Sequence, residues 1–291
     1  MSLVSTAWLA DHLDDPNVRI VDTRWYLLDT QKGERDYFDG HIPNALYLSV
    51  DRDLSASPLP DAKTGRHPLP SPEAFAETMA RAGVSNTTHV VAYDDAGGGN
   101  AARVWWLLRY FSSGTALGHE NASLLDGGLN QWLAEERALS THVPTFPRAQ
   151  FHARPNPNMF VTKQYMIEHT HDPRTLILDA RAPERYRGET EPVDARAGHI
   201  PGAKNAPWSE NLRSAQDFRF QDANALRARF DALGANGAAE IVAYCGSGIN
   251  AAAELFALEL AGYKNTLLYA ASFSEWSRDA TLLIVTGAEP F

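Results

Sequence analysis

At 291 residues the chain is long enough for two domains with cores of their own, and 44% hydrophobic with 21% charged residues is ordinary for a globular protein. A formal net charge of −10 argues against a nucleic-acid partner, since phosphate binding needs a basic face. One cysteine excludes an internal disulfide and a resolving thiol in the same chain. No apolar run approaches the ~18 residues that span a bilayer. Residues 1–16 show no basic start followed by an apolar core, so neither a membrane partner nor a secretory leader is expected, and the expected location is cytoplasmic.

The first predicted element is a helix capped by Ser5 and running through Asp11, with Trp8, Leu9 and Leu13 on its apolar side. Arg19–Asp22 reads as a strand. Gly40-His41-Ile42-Pro43 is a turn before a second short strand, Leu46–Val50. Ser71 and Pro72 form a helix start, a cap followed by a first-turn proline, and Gly83 ends that helix. His89–Tyr93 is an apolar strand, Asp94–Gly99 its loop, and Ala101–Phe111 the helix after it. The three glycines of that loop precede no Lys-Ser or Lys-Thr, so this is no nucleotide phosphate loop.

Residues 143–158 hold four prolines and no helical period. They read as an extended linker between a first domain at 1–142 and a second at 159–291. In the second, Thr162 caps a helix through His169, and Thr175–Asp179 is a strand. His169 and His171 stand two apart and no other His or Cys set has ligand spacing, so no metal or other cofactor is expected. Ile241–Tyr244 is a buried strand, and Asn250–Leu260 is a helix with Leu255, Phe256, Leu258 and Leu260 available for packing.

Between that strand and helix lies Cys245-Gly246-Ser247-Gly248-Ile249. The sole cysteine thus stands at the carboxyl end of a strand, where open α/β sheets place their ligands. Gly246 and Gly248 allow a curl in which successive amide N–H groups point inward as an anion nest, backed by the positive end of a helix. A cysteine in that cradle is placed to act as a thiolate nucleophile, whereas a packed structural thiol belongs in a core. A phosphatase loop would need an arginine six positions after the cysteine, and position 251 is alanine.

The two halves repeat each other. Val18-Arg-Ile-Val-Asp22-Thr-Arg24 resembles Leu176-Ile-Leu-Asp179-Ala-Arg181, and Gly40-His41-Ile-Pro43 matches Gly198-His199-Ile-Pro201. His89-Val-Val-Ala-Tyr93-Asp94 matches Glu240-Ile-Val-Ala-Tyr244-Cys245, and Asn100-Ala-Ala matches Asn250-Ala-Ala. Gly127-Gly-Leu-Asn-Gln-Trp132 resembles Ala271-Ser-Phe-Ser-Glu-Trp276. The period is far longer than that of a solenoid, which means two homologous domains. Asp94 takes the place of Cys245. A carboxylate does not attack sulfur usefully and repels anions, so the first domain is expected to be chemically silent. His41 and His199 recur in both halves, the silent one included, and read as turn structure.

The cysteine loop resembles that of the rhodanese superfamily, and Cys-Gly-Ser-Gly-x-x-Ala is similar to the version carried by its 3-mercaptopyruvate sulfurtransferases. Thiosulfate sulfurtransferases of that superfamily usually carry Arg-Lys where this chain has Gly246 and Ser247. The resemblance covers essentially the whole chain. It implies an α/β fold of two tandem rhodanese-like domains, each a mostly parallel sheet flanked by helices, the first lacking the catalytic cysteine. It implies catalytic roles for Cys245 and Ser247, with Asp51 and His67 acting together with the serine. Arg185, the arginine before the aromatic, would hold the anionic part of the substrate. Arg103, in Ala101-Ala-Arg103-Val-Trp-Trp106, would face the active site, and Gly246, Gly248, Ile249 and Asn250 would line the substrate. Asn250 stands where the superfamily commonly has threonine. Some mercaptopyruvate enzymes carry a second arginine directly after the Glu-Pro pair. Here that place is Val193, so either Arg196 substitutes for it or the substrate grip differs, and Arg187 and Arg196 rank behind Arg185 as candidates.

The implied activity moves sulfane sulfur from a small anionic donor, 3-mercaptopyruvate, through a Cys245 persulfide to a thiophilic acceptor such as cyanide, a small thiol or a protein thiol. A pyruvate enolate leaving group needs a proton, which Ser247 could supply. Sulfite, the leaving group of thiosulfate, needs none and gains from positive charge that Gly246 and Ser247 lack. The alternatives are a thiosulfate sulfurtransferase and a non-enzymatic persulfide carrier.

Overall fold

The computed structural model describes residues 2–59, 64–112 and 121–291. Val18–Asp22 is buried along its whole length and Glu240–Tyr244 along all but its first residue. Strands hidden on both faces belong to parallel sheets covered by helices on both sides.

The first half of the chain runs β1 (Leu3–Val4), α1 (Thr6–Asp11), β2 (Val18–Asp22), α2 (Lys32–Asp39), β3 (Ala45–Tyr47), α3 (Pro72–Arg81), β4 (His89–Tyr93), α4 (Ala102–Tyr110), β5 (Ala122–Leu125) and α5 (Gly128–Ala134). The second half runs β6 (Phe160–Val161), α6 (Lys163–His169), β7 (Thr175–Asp179), α7 (Pro183–Tyr186), β8 (Lys204–Asn205), α8 (Ala223–Leu233), β9 (Glu240–Tyr244), α9 (Asn250–Leu260), β10 (Thr266–Tyr269) and α10 (Ser272–Trp276). The sheets have the orders β1-β5-β4-β2-β3 and β6-β10-β9-β7-β8, with every pairing parallel. β4 and β9 are the central strands, and Asp94 and Cys245 follow them directly.

The expected caps are present: Ser5, Ser71 and Thr162 each accept a backbone N–H from three residues on. The strand expected over Leu46–Val50 lies instead at Ala45–Tyr47. Its continuation is lost because the Ser49 N–H turns to the Asp53 carboxylate.

The chain divides into two compact units, and each takes in a short segment from the other half of the sequence. The first comprises Met1–Ala56, Leu69–Pro157 and Leu212–Phe220, and the second comprises Ser57–Pro68, Asn158–Asn211 and Gln221–Phe291. A single cut at 143–158 does not describe these units. Residues 143–156 carry no helix or strand, yet Phe151 is buried in the first unit, edge-on to Phe75. In that unit Val4, Leu9, Ile20, Val91, Tyr93 and Trp132 share one core. In the second, Val161, Met166, Ile177, Val242, Tyr244 and Trp276 do the same. Among the described residues no helix is long and apolar enough to cross a membrane.

Candidate active site

Cys245 is buried in the second unit, 2% exposed, on the loop that β9 feeds into α9. Its Sγ accepts the Gly248 N–H at 3.1 Å. Three further bonds pin the turn: the Cys245 N–H donates to Ser272 Oγ, the Phe273 N–H to the Cys245 carbonyl, and the Ser274 N–H to the Gly246 carbonyl. The two loop glycines serve different ends. Gly248 has a φ of +82°, and a Cβ there would lie 2.3 Å from the Ala270 carbonyl oxygen. Gly246 lies outside the left-handed region, so its use is space: a Cβ there would meet Arg66 Nη2 at 2.8 Å.

The same loop in the first unit displays what it binds. Asp94 Oδ1 accepts the N–H groups of Ala96 and Gly98 at 2.9 and 2.8 Å. Its Oδ2 accepts those of Asn100 and Ala101 at 2.7 and 2.8 Å. Four converging amides around one carboxylate make an anion nest, and here the chain's own side chain fills it. Burial pushes the Asp94 carboxyl up against the downward pull of those amides. Apolar residues close this loop: a Cβ on Gly97 would lie 2.6 Å from Leu212 Cδ1, and one on Gly98 would lie 3.3 Å from Phe220. The sequence predicts an inert half because aspartate does not attack sulfur; the structure adds that the nest is occupied.

Beside the Cys245 loop stands a side chain from the other half of the sequence. His67, on the segment Ser57–Pro68, faces Ser247 with Nδ1 2.7 Å from Oγ, and both residues are buried. Arg185, at the end of α7, donates to Glu191 through Nε at 3.2 Å and through Nη2 at 2.6 Å. Nη2 also reaches Asp194 Oδ2 at 3.0 Å. Its Nη1 and Nη2 lie 3.6 and 3.7 Å from where a Gly246 Cβ would stand, so the guanidinium borders the cysteine loop. Arg181 has a different task. It forks onto Asp179, also reaches Glu191, and binds the Gly198 carbonyl, as Arg24 does with Asp22 and the Gly40 carbonyl in the first unit.

The comparisons with known proteins agree with this architecture. The rhodanese-like domain family matches residues 5–135 and again residues 162–279. The chain belongs to the rhodanese family. A Pseudomonas aeruginosa protein named probable 3-mercaptopyruvate sulfurtransferase is 40% identical over 286 residues, 98% of either chain. The sulfur carrier protein TtuD of Thermus thermophilus is 34% identical, over 99% of this chain and 97% of its own. The crystal structure of the 3-mercaptopyruvate sulfotransferase SseA from Escherichia coli superposes with a TM-score of 0.78 at 32% identity, covering 94% of this chain and all of that one.

As a rhodanese, the chain brings together Cys245, Gly246, Ser247, Gly248, His67 and Arg185 within its second unit. Ile249 precedes the first residue of α9, which is Asn250. Asp51 and Arg103 belong to the first unit. Asp51 Oδ2 accepts the Trp25 indole N–H at 2.9 Å, and Arg103 is fully buried with Nε 3.4 Å from the Leu54 carbonyl. Arg196 does not substitute for a second substrate arginine. Its guanidinium is spent on the carbonyls of Ser277, Leu282, Trp276 and Asp279, where it fastens the segment after α10. Arg187 pairs with exposed Glu189. His41 and His199 stack on Tyr37 and Tyr186 at 4.0 and 3.7 Å and bond the carbonyls of the same tyrosines, which fits a turn role.

Two residues at the site escaped the sequence reading. Ser272 holds the Cys245 N–H and has a φ of +57°. The repeat carried a signal for it, since its partner in the matched block is Gly128, with a φ of +55°. Arg66 stood next to His67, with nothing in the local pattern to single it out.

Proposed function

We infer that this chain is a sulfurtransferase that takes sulfur from 3-mercaptopyruvate onto Cys245 and passes it to a thiophilic acceptor. The observation that carries the reading is the buried hydrogen bond between Ser247 and His67, two residues beyond the nucleophile.

The Cys245 thiolate attacks the donor sulfur. An S–S bond forms and the C–S bond breaks, and the electron pair departs as the enolate of pyruvate. That enolate must take up a proton, and the Ser247 hydroxyl, resupplied through His67, delivers it. With thiosulfate the departing group is sulfite, a stable anion, and a buried hydroxyl–imidazole pair has no proton to deliver. The persulfide on Cys245 is steadied by the Gly248 N–H, which already faces the sulfur. In the second half-reaction a thiolate or cyanide attacks the outer sulfur, forms its own bond to it, and returns the Cys245 thiolate. Arg185 holds the donor's carboxylate or carbonyl. Asp51 and Arg103, in the first unit, are assigned to the relay and to the substrate by family resemblance. No metal or organic cofactor enters the scheme, and the expected partners are the small anionic donor and a thiol or cyanide acceptor.

The test compares 3-mercaptopyruvate with thiosulfate as donors, with cyanide as the common acceptor and Cys245→Ser as the control. A preference for mercaptopyruvate that Ser247→Ala abolishes supports the reading. Preferred turnover of thiosulfate, unaffected by Ser247→Ala, would overturn the donor assignment. A chain that turns over neither donor but accepts sulfur from a partner desulfurase would be a carrier.

A further inference from the structure

The sequence leaves the second substrate arginine missing at Val193, and Arg196 is occupied elsewhere. A second guanidinium nevertheless stands at the cysteine loop, reaching it from the opposite half of the chain. Arg66 sits on the segment Ser57–Pro68, which folds as part of the second unit. Its backbone N–H donates to Ser274 Oγ at 3.0 Å, and Ser274 in turn holds the Gly246 carbonyl through its own N–H. The Arg66 main chain is thereby fixed to the same turn that positions Cys245. Its Nη2 comes so close to Gly246 that no Cβ fits between them.

Arg66 and Arg185 are joined by one carboxylate. Asp194 accepts Arg66 Nη1 on Oδ1 and Arg185 Nη2 on Oδ2, and its side chain is 2% exposed. A carboxylate shared by two guanidiniums is the arrangement that an anionic substrate would adopt between them. Arg66 Nε is buried and has no hydrogen-bond partner among the described residues, so this fork has donor capacity left over. Burial pushes the Asp194 carboxyl up, against the downward pull of Arg66 and Arg185.

We propose that Arg66 is the second substrate-positioning arginine of this enzyme. It pairs with Arg185 on the donor's carboxylate beside Cys245, and Asp194 holds the two guanidiniums in place before the donor arrives. The proposal rests on the functional reading above, and it gives residue 246 a reason to be glycine: Arg66 Nη2 needs the space that a Cβ there would take.

The experiment uses the full chain with two donors, 3-mercaptopyruvate and mercaptopropanone, which keeps the thiol and the ketone but carries a methyl group for the carboxylate. If wild type turns over neither donor, the functional reading fails, whatever Arg66 does. If wild type prefers the carboxylate donor, Arg66→Gln should raise the KM for mercaptopyruvate about tenfold to a hundredfold, the loss of one charge-assisted contact, and leave kcat/KM for mercaptopropanone within about twofold. Arg66→Lys should recover part of that loss as a point charge. Gly246→Ala, whose Cβ would meet Arg66 Nη2 at 2.8 Å and only touch the Arg185 guanidinium at 3.6 and 3.7 Å, should raise the same KM while changing the unfolding midpoint little. The proposal is overturned if Arg66→Gln slows both donors equally, the mark of a buttress for the loop, or leaves the KM for mercaptopyruvate unchanged.

Discussion

Ser247 is buried beside a histidine that the chain supplies from 180 positions away. Holding a hydroxyl and an imidazole out of water costs free energy unless both are satisfied, and each satisfies the other here. If the pair delivers the proton, Ser247→Ala should lower kcat with mercaptopyruvate by about a hundredfold to a thousandfold and change thiosulfate turnover only a few-fold. Steady-state rates with both donors decide it, and an equal loss with both would mean that Ser247 only shapes the loop. Ser272 supports a second prediction at this scale. Its hydroxyl accepts from Cys245 and donates to the Tyr269 carbonyl, while its backbone is held at a φ of +57°. Ser272→Ala keeps the strain and loses both bonds, whereas Ser272→Gly loses the bonds and relieves the strain. Glycine should therefore be the milder change, by about 1 kcal/mol in urea unfolding; an alanine variant as stable as the glycine one would contradict this account of the backbone.

At the level of the element, the unit of function is strand, loop and helix: β9, the cysteine turn and α9. Gly248 sets the curl of that turn. Gly248→Ala would place a Cβ 2.3 Å from the Ala270 oxygen at a φ of +82°, against backbone that has no room to yield. It should cost about 1–3 kcal/mol and misplace the N–H that faces Cys245 Sγ, lowering activity as well. Denaturant unfolding with parallel assays checks both parts, and a stable, fully active variant would contradict them. The central elements were legible because their signals are local. An apolar run, a glycine-bearing turn and an alanine-rich helix lie next to one another in the sequence. The sheet edges were not: β1, β6 and β8 are two residues long and present no period to read. α2 went unread for a related reason, since only Gly33 and Tyr37 are buried in a strongly polar stretch.

Across the whole molecule, one fold is used twice with opposite outcomes at the same loop. In the first unit the nest is filled by Asp94 and closed by Leu212 and Phe220; in the second it holds a thiol bordered by Arg66, His67 and Arg185. The repeat in the sequence exposed the Asp94–Cys245 equivalence. It could not expose the exchanged segments, because contacts across so many positions leave no local pattern. His67 was reached through family resemblance, and its neighbour Arg66 only through the structure. Asp94 should accordingly matter for stability and not for chemistry. Asp94→Asn would turn an NH2 group toward amides that now meet an oxygen, at a cost of about 1–3 kcal/mol, with kcat per folded molecule unchanged. A variant that keeps its unfolding midpoint and loses turnover would contradict the idea of a silent half.

The central claim is that Cys245 carries the sulfur in transit. The most direct measurement treats the protein with 3-mercaptopyruvate in the absence of any acceptor and weighs the intact chain. The account predicts a gain of one sulfur atom on wild type, located at Cys245, removed by cyanide and absent from Cys245→Ser. Turnover with no such adduct, or an adduct that survives in Cys245→Ser, would contradict it.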